Sequence, residues 1–94
     1  MNIECKNLME DIVLQNVDSV MATSPYCTCD ECKTDVIAYA LNHLQPHYVA
    51  TRQGRLIVEL QSYEMQFRAD VMTALSQAVE VVGKNPRHGR QFIR

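Results

Sequence analysis

The chain has 94 residues and 47% of them are hydrophobic, yet no uninterrupted apolar stretch approaches membrane-spanning length, which takes about 18 residues. Glycine is scarce, with three residues in all, and no Gly-rich phosphate loop is present. There is no His-Glu-x-x-His pair either, so no catalytic constellation stands out and an enzyme is not expected. The opening residues, Met1 to Lys6, lack a basic region leading into an apolar core; no signal peptide is read, and the cytoplasm is the expected location. Basic charge is not in excess: 9 Lys and Arg stand against 11 Asp and Glu, a net charge of −2. A domain that grips a phosphate backbone is strongly basic, so nucleic acid is not an expected partner. The length leaves no room for a second folded domain, and neither internal repeats nor low-complexity tracts occur.

What is present reads as a small, mainly α domain over residues 1–88, with a basic tail at 89–94. Apolar residues at helical spacing (Leu8, Met9, Ile12, Val13, Val17, Val20, Met21) predict a first helix over residues 4–21, stopped by Thr23-Ser24-Pro25. Val36, Ile37, Ala40, Leu41 and Leu44 predict a second helix from about Asp30 to Leu44, with Asp30 as its N-cap. Residues 48–60 read as extended: Tyr48-Val49-Ala50-Thr51 and Leu56-Ile57-Val58-Glu59-Leu60 are β-prone around a turn-like Arg52-Gln53-Gly54-Arg55. A third helix is predicted over residues 62–82, its stripe running Phe67, Val71, Ala74, Leu75, Ala78, Val79, Val82. Gly83 follows as a natural C′ residue. The stretch from Val71 to Val79 carries no charge, wide for a helix with one wet face, and predicts contact with two surfaces. A homodimer is therefore expected, with Val71→Glu or Leu75→Glu weakening assembly or folding.

Cysteine carries the chemistry. Cys27, Cys29 and Cys32 form C-x-C-x-x-C, a spacing that in a reducing compartment favours a metal over disulfides. Crowded thiolates repel, and a divalent cation relieves the repulsion. Zinc accepts an all-thiolate tetrahedron, for which Cys5 is the remaining cysteine, with His43 or His47 as alternative fourth ligands. Buried free thiols and a redox C-x-x-C pair are the competing readings. Glu31, between two of the cysteines, suggests a zinc-deaminase glutamate, but the His-x-Glu half of that signature is missing. Arg52, Arg55, Arg68, Arg87 and Arg90 can pair bidentately with phosphate or stack on a base, and Tyr48 near Arg52 adds an aromatic face; a solvated surface with a basic tail is the reading composition favours.

The order Cys27-Thr28-Cys29-Asp30-Glu31-Cys32, Asp35-Val36-Ile37-Ala38, Ala40-Leu41-Asn42-His43-Leu44-Gln45-Pro46-His47-Tyr48-Val49, then Thr51 and Gly54, resembles the late competence protein ComFB family. A later helix ending in Asn85-Pro86-Arg87-His88 extends the resemblance over about residues 4–88. Gln45 and His47 depart from it, standing where the family prefers proline and a lysine or arginine. The resemblance implies a small helical homodimer with structural zinc on the cysteines. It also implies a receptor for cyclic di-GMP or cyclic di-AMP near Tyr48, Thr51 and Arg52, acting on competence, pili or motility through protein partners. The alternative is a structural protein–protein interaction module with zinc and no small ligand.

Overall fold

The computed structural model describes residues 5–86. Its order is β1 (Lys6–Asn7), α1 (Leu8–Ala22), α2 (Asp30–Asn42), β2 (Tyr48–Val49), α3 (Arg52–Gln61) and α4 (Met65–Lys84). The domain is mainly helical, as expected, but it has four helices rather than three. The basic tail at 89–94 lies outside the described residues.

Three helices build the core. Met9, Val13, Val17, Val20 and Met21 from α1, Cys32, Val36 and Ala40 from α2, and Val71, Leu75, Ala78, Val79 and Val82 from α4 form one buried cluster. The apolar spacing of each helix turns its stripe inward. The neighbours α1 and α2 run antiparallel. The strands β1 and β2 pair antiparallel, Lys6 with Val49 and Asn7 with Tyr48, which ties the start of α1 to the chain leaving α2. Asn7 locks that junction: its side-chain Oδ1 accepts from Met9 N–H at 3.1 Å, capping α1, and from His47 N–H at 2.8 Å. At the other end of the same pair of helices, Lys33 on α2 bonds Asp18 on α1 at 2.9 Å.

The expected hairpin over residues 48–60 is not formed. The strand β2 takes β1 as its partner, and residues 56–60 do not pair with it. They coil instead into α3. The Thr51 hydroxyl accepts from Gly54 N–H at 3.0 Å and starts the helix, and Arg55 bonds Glu59 one turn on at 3.1 Å. The β-prone run Leu56-Ile57-Val58 is a weak preference that a cap and the lack of a strand partner override.

Two further expectations change. Asp30 opens α2 as its first helical residue, and the cap position falls to Cys29. Gly83 lies inside the last turn of α4 rather than beyond it. There it serves close approach, because a Cβ at Gly83 would stand 2.2 Å from the Tyr26 ring.

The wide apolar stripe of α4 has its two surfaces within the chain, α1 and α2. Val71 and Leu75 are 2% and 0% exposed, so of the two roles expected for them, assembly or folding, burial in the chain's own core gives them the second. Large apolar side chains left in water include Leu56, Ile57 and Leu60 on α3, Tyr63 after it, Met65, Met72 and Val81 on α4, Leu14 on α1 and Tyr48 on β2. Fully burying such a side chain is worth about 1.5–3 kcal/mol. Among the described residues no helix is long and apolar enough to cross a membrane.

Truncating Leu75 to Ala is expected to cost about 2–5 kcal/mol of folding stability, and Val71→Glu is expected to abolish the cooperative transition. Denaturant melts followed by circular dichroism check both; near-native melting of either variant would place these residues outside the core.

Candidate functional site

The thiol cluster sits where α1 ends and α2 begins. Pro25 follows Thr23 and Ser24, whose N–H groups bond back to α1 at Val20 and Met21; proline offers no donor to carry the ladder further. Tyr26 then lays its ring against Gly83, and its hydroxyl donates to Glu80 Oε2 at 3.0 Å. That bond to a carboxylate raises the phenol above its ordinary range. Tyr26 so pins the cysteine loop to α4, and the next residue is Cys27. The N–H of Lys33 bonds Cys29 O at 2.9 Å, setting Cys29 and Cys32 one turn apart at the entry of α2.

The ligand atoms of Cys27, Cys29 and Cys32 all lie within 4.8 Å of one another, with Cys27 and Cys29 exposed and Cys32 buried. Bonds of about 2.3 Å to a tetrahedral ion set sulfurs just under 4 Å apart, so these three thiols fit a shared metal ion. Burial, first, and hydrogen bonds with the Cys29 and Cys27 thiols push the Cys32 thiol up to about 12. A metal must displace that proton, so its binding weakens as pH falls.

Cys5 is not with them. It precedes β1 at the start of α1, and the cluster lies past the other end of that helix. Fifteen residues of helix at about 1.5 Å each separate the two by roughly 22 Å. Cys5 therefore supplies no fourth ligand within its own chain. The alternatives fare no better: His43 follows the C-terminal end of α2, the end away from the cluster, where its ring stacks on Tyr39 at 4.2 Å. His47 stands beside Phe67, ring centroids 5.1 Å apart.

Cys5 instead lines a cleft of about 510 Å³ with Lys6, Leu8, Val49, Ala50, Thr51, Arg52 and Arg55. Thr51 and Arg52, two residues singled out by resemblance, thus share one concavity, while Tyr48 is exposed on β2 beside it. Three cations face the cleft. Lys6 is paired with Asp11 at 2.9 Å and Arg55 with Glu59 at 3.1 Å, whereas Arg52 has no ion-pair partner among the described residues. Arg55, one of the arginines expected to hold phosphate, does line this cleft; Lys6 has no signal in local spacing, because the β1–β2 pairing that brings it across is long-range. Sequence reasoning passed over Tyr26 and the buried Asp35. Asp35 carried a signal, since it lies one turn beyond Cys32 on the inward face of α2.

The family model for the late competence development protein ComFB matches residues 6–86. The chain belongs to the ComFB family. A competence protein ComFB from Bacillus subtilis (strain 168) is 28% identical over 60 residues, covering 64% of this chain and 61% of that protein. The chain thus matches less than two thirds of that relative's length. The solved structure of the late competence protein ComFB from Bacillus subtilis has the same fold, with a TM-score of 0.79 at 24% identity over 96% of this chain and 100% of that one.

Two outcomes are expected at the thiol end. Cys29→Ser should remove the bound metal and lower the melting temperature, whereas Cys5→Ser should leave both unchanged; elemental analysis with thermal melts checks this, and metal loss in Cys5→Ser would return that residue to the ligand set. Gly83→Ala should cost about 1–3 kcal/mol as Tyr26 is forced off α4, read by denaturant melts.

Proposed function

We propose that this ComFB-family domain is a non-enzymatic regulatory module that works as a homodimer, holds structural zinc on Cys27, Cys29 and Cys32, and receives a cyclic dinucleotide, cyclic di-GMP first, in the cleft at Thr51 and Arg52. The observation that carries the reading is Arg52, a guanidinium without an ion-pair partner among the described residues, on a cleft of about 510 Å³ that Lys6 and Arg55 also line. Clefts of about 300–1,000 Å³ suit small ligands. Phosphate oxygens find there a bidentate donor at the N-terminal end of α3, where the helix dipole favours an anion. The exposed Tyr48 ring stands beside the cleft as a surface on which a base can stack.

Zinc in this reading supplies folding energy. A soft divalent ion that prefers tetrahedral sulfur matches a cluster of thiols, and the cluster lies at the other end of α1 from the cleft, out of reach of a ligand there. The fourth position on the metal goes to a donor other than Cys5 of the same chain. The names of the Bacillus subtilis relatives place them in competence, and a role in competence, with pili or motility as related outputs exercised through protein partners, is proposed for this chain.

Calorimetric titration with cyclic di-GMP and cyclic di-AMP tests the receptor role. The expected result is saturable binding that added salt weakens and that Arg52→Ala weakens by about 10–100-fold, the equivalent of one charged hydrogen bond of roughly 1.5–3 kcal/mol. No heat and no thermal shift at saturating concentrations of either nucleotide would put a structural protein–protein interaction module in its place.

A further inference from the structure

The cysteine loop and the end of α4 meet. Tyr26, the residue before Cys27, lies with its ring against Gly83 and its hydroxyl on Glu80, both near the end of α4. The chain therefore leaves that helix beside the thiols. Asn85 ends α4 at φ −143° and ψ 66°, off the helical path, in keeping with the clash that a following proline imposes on helical backbone. Pro86 has no N–H with which to continue the ladder. His88 stands two residues on, past the described residues, and two residues of extended chain span about 7 Å.

A tetrahedral zinc ion takes four ligands. Among the described residues, Cys27, Cys29 and Cys32 form their group with no fourth His, Cys, Asp or Glu in it. Of the remaining residues, Glu4 adjoins Cys5, which precedes the far end of α1. Residues 87–94 hold His88 and no Cys, Asp or Glu. Charge favours the same donor. Asp30 and Glu31 open α2 among the cysteines, and a fourth thiolate would add to that negative charge, whereas a neutral imidazole adds none.

Asp35 offers the imidazole a second partner. It is the buried charged side chain among the described residues, 4% exposed, and it follows Cys32 by three residues, so the two share a face of α2. A metal-bound histidine donates its other ring N–H to such a carboxylate, which fixes the ring and its tautomer.

We infer that His88 is the fourth ligand of a zinc ion on Cys27, Cys29 and Cys32, and that Asp35 accepts the other ring N–H of His88. The inference rests on the zinc reading and names the donor that reading leaves open. The ion then ties three parts of the chain at one end of the core: the cysteine loop, the start of α2 and the segment leaving α4.

X-ray absorption at the zinc edge of the full chain is the test, with elemental analysis for zinc content and circular dichroism as the fold check. The wild type is expected to show three sulfurs at about 2.3 Å, one nitrogen at about 2.0–2.1 Å, and the outer-shell scattering of a single imidazole. His88→Ala should keep the fold and the three sulfurs, lose the imidazole scattering and bind zinc about 100-fold more weakly. His88→Cys should restore the affinity with a fourth sulfur, and His43→Ala and His47→Ala should change nothing at the metal. Asp35→Asn should weaken zinc binding about tenfold in the wild type and leave His88→Ala no weaker, whereas a purely structural role would lower both. Equal losses in the two backgrounds would remove Asp35 from the site. Four sulfurs or no imidazole in the wild type, or imidazole scattering that persists in His88→Ala, would overturn the assignment of His88 and leave zinc standing. Wild-type protein free of metal when purified without chelator would overturn the zinc reading and this inference with it.

Discussion

The antiparallel packing of α2 against α1 decides where everything else lies. Because the chain reverses between them, the residues joining the two helices collect at one end, and the residues before α1 and after α2 collect at the other. The first end receives the three thiols. The second receives β1, β2 and the cationic cleft that Lys6, Arg52 and Arg55 share. The helix α4 completes the core from the third side, and its small residues let the other elements approach: Ala74 and Ala78 are buried in the shared cluster, and Gly83 takes the Tyr26 ring directly against its backbone. A few rigid contacts between regular elements thus hold the cysteine loop, which would otherwise be a poorly constrained seven-residue connection.

Separation of the two ends defines what a metal could do. An ion held by Cys27, Cys29 and Cys32 would stand a helix length from the cleft and act through the fold, by closing the loop and fastening the start of α2. Burial of Cys32 serves the same purpose. Its sulfur is part of the hydrophobic core, so the metal end and the packed interior are one structure. The other end offers surface cations and a helix start, features on which an anion could bind without any large rearrangement of the core.

The helix α3 stands apart from this economy of packing. Three helices already satisfy one another, and the fourth is held by its cap, by β2 and by Val58, with its other apolar residues outward. Small domains bury a limited share of their surface, and Leu56, Ile57 and Leu60 put part of that shortfall on this helix. That helix also forms a wall of the cleft, through Arg52 and Arg55. Any surface that covers α3 therefore adjoins the place where an anion would bind.

Local chemistry made much of this legible from the amino acids alone. The stripes of α1, α2 and α4 announced helices, since a buried face repeats every three to four residues whatever it packs against. Proline after Thr23-Ser24 announced the break, and C-x-C-x-x-C announced a thiol cluster because three cysteines within six residues cannot avoid one another. The extended reading of residues 48–60 fails beyond β2 because their β-branched run is compatible with either state; the Thr51 cap starts α3 there, while β2 pairs with Lys6 and Asn7, some forty residues away. The same kind of long-range fact removed Cys5 from the metal and put Val71 and Leu75 inside. Sequence spacing tells which residues share a face, and it carries no information on which face meets which or how far apart two ends of a helix will stand. The tertiary structure alone supplied those distances, because they are set by the direction in which α2 returns along α1.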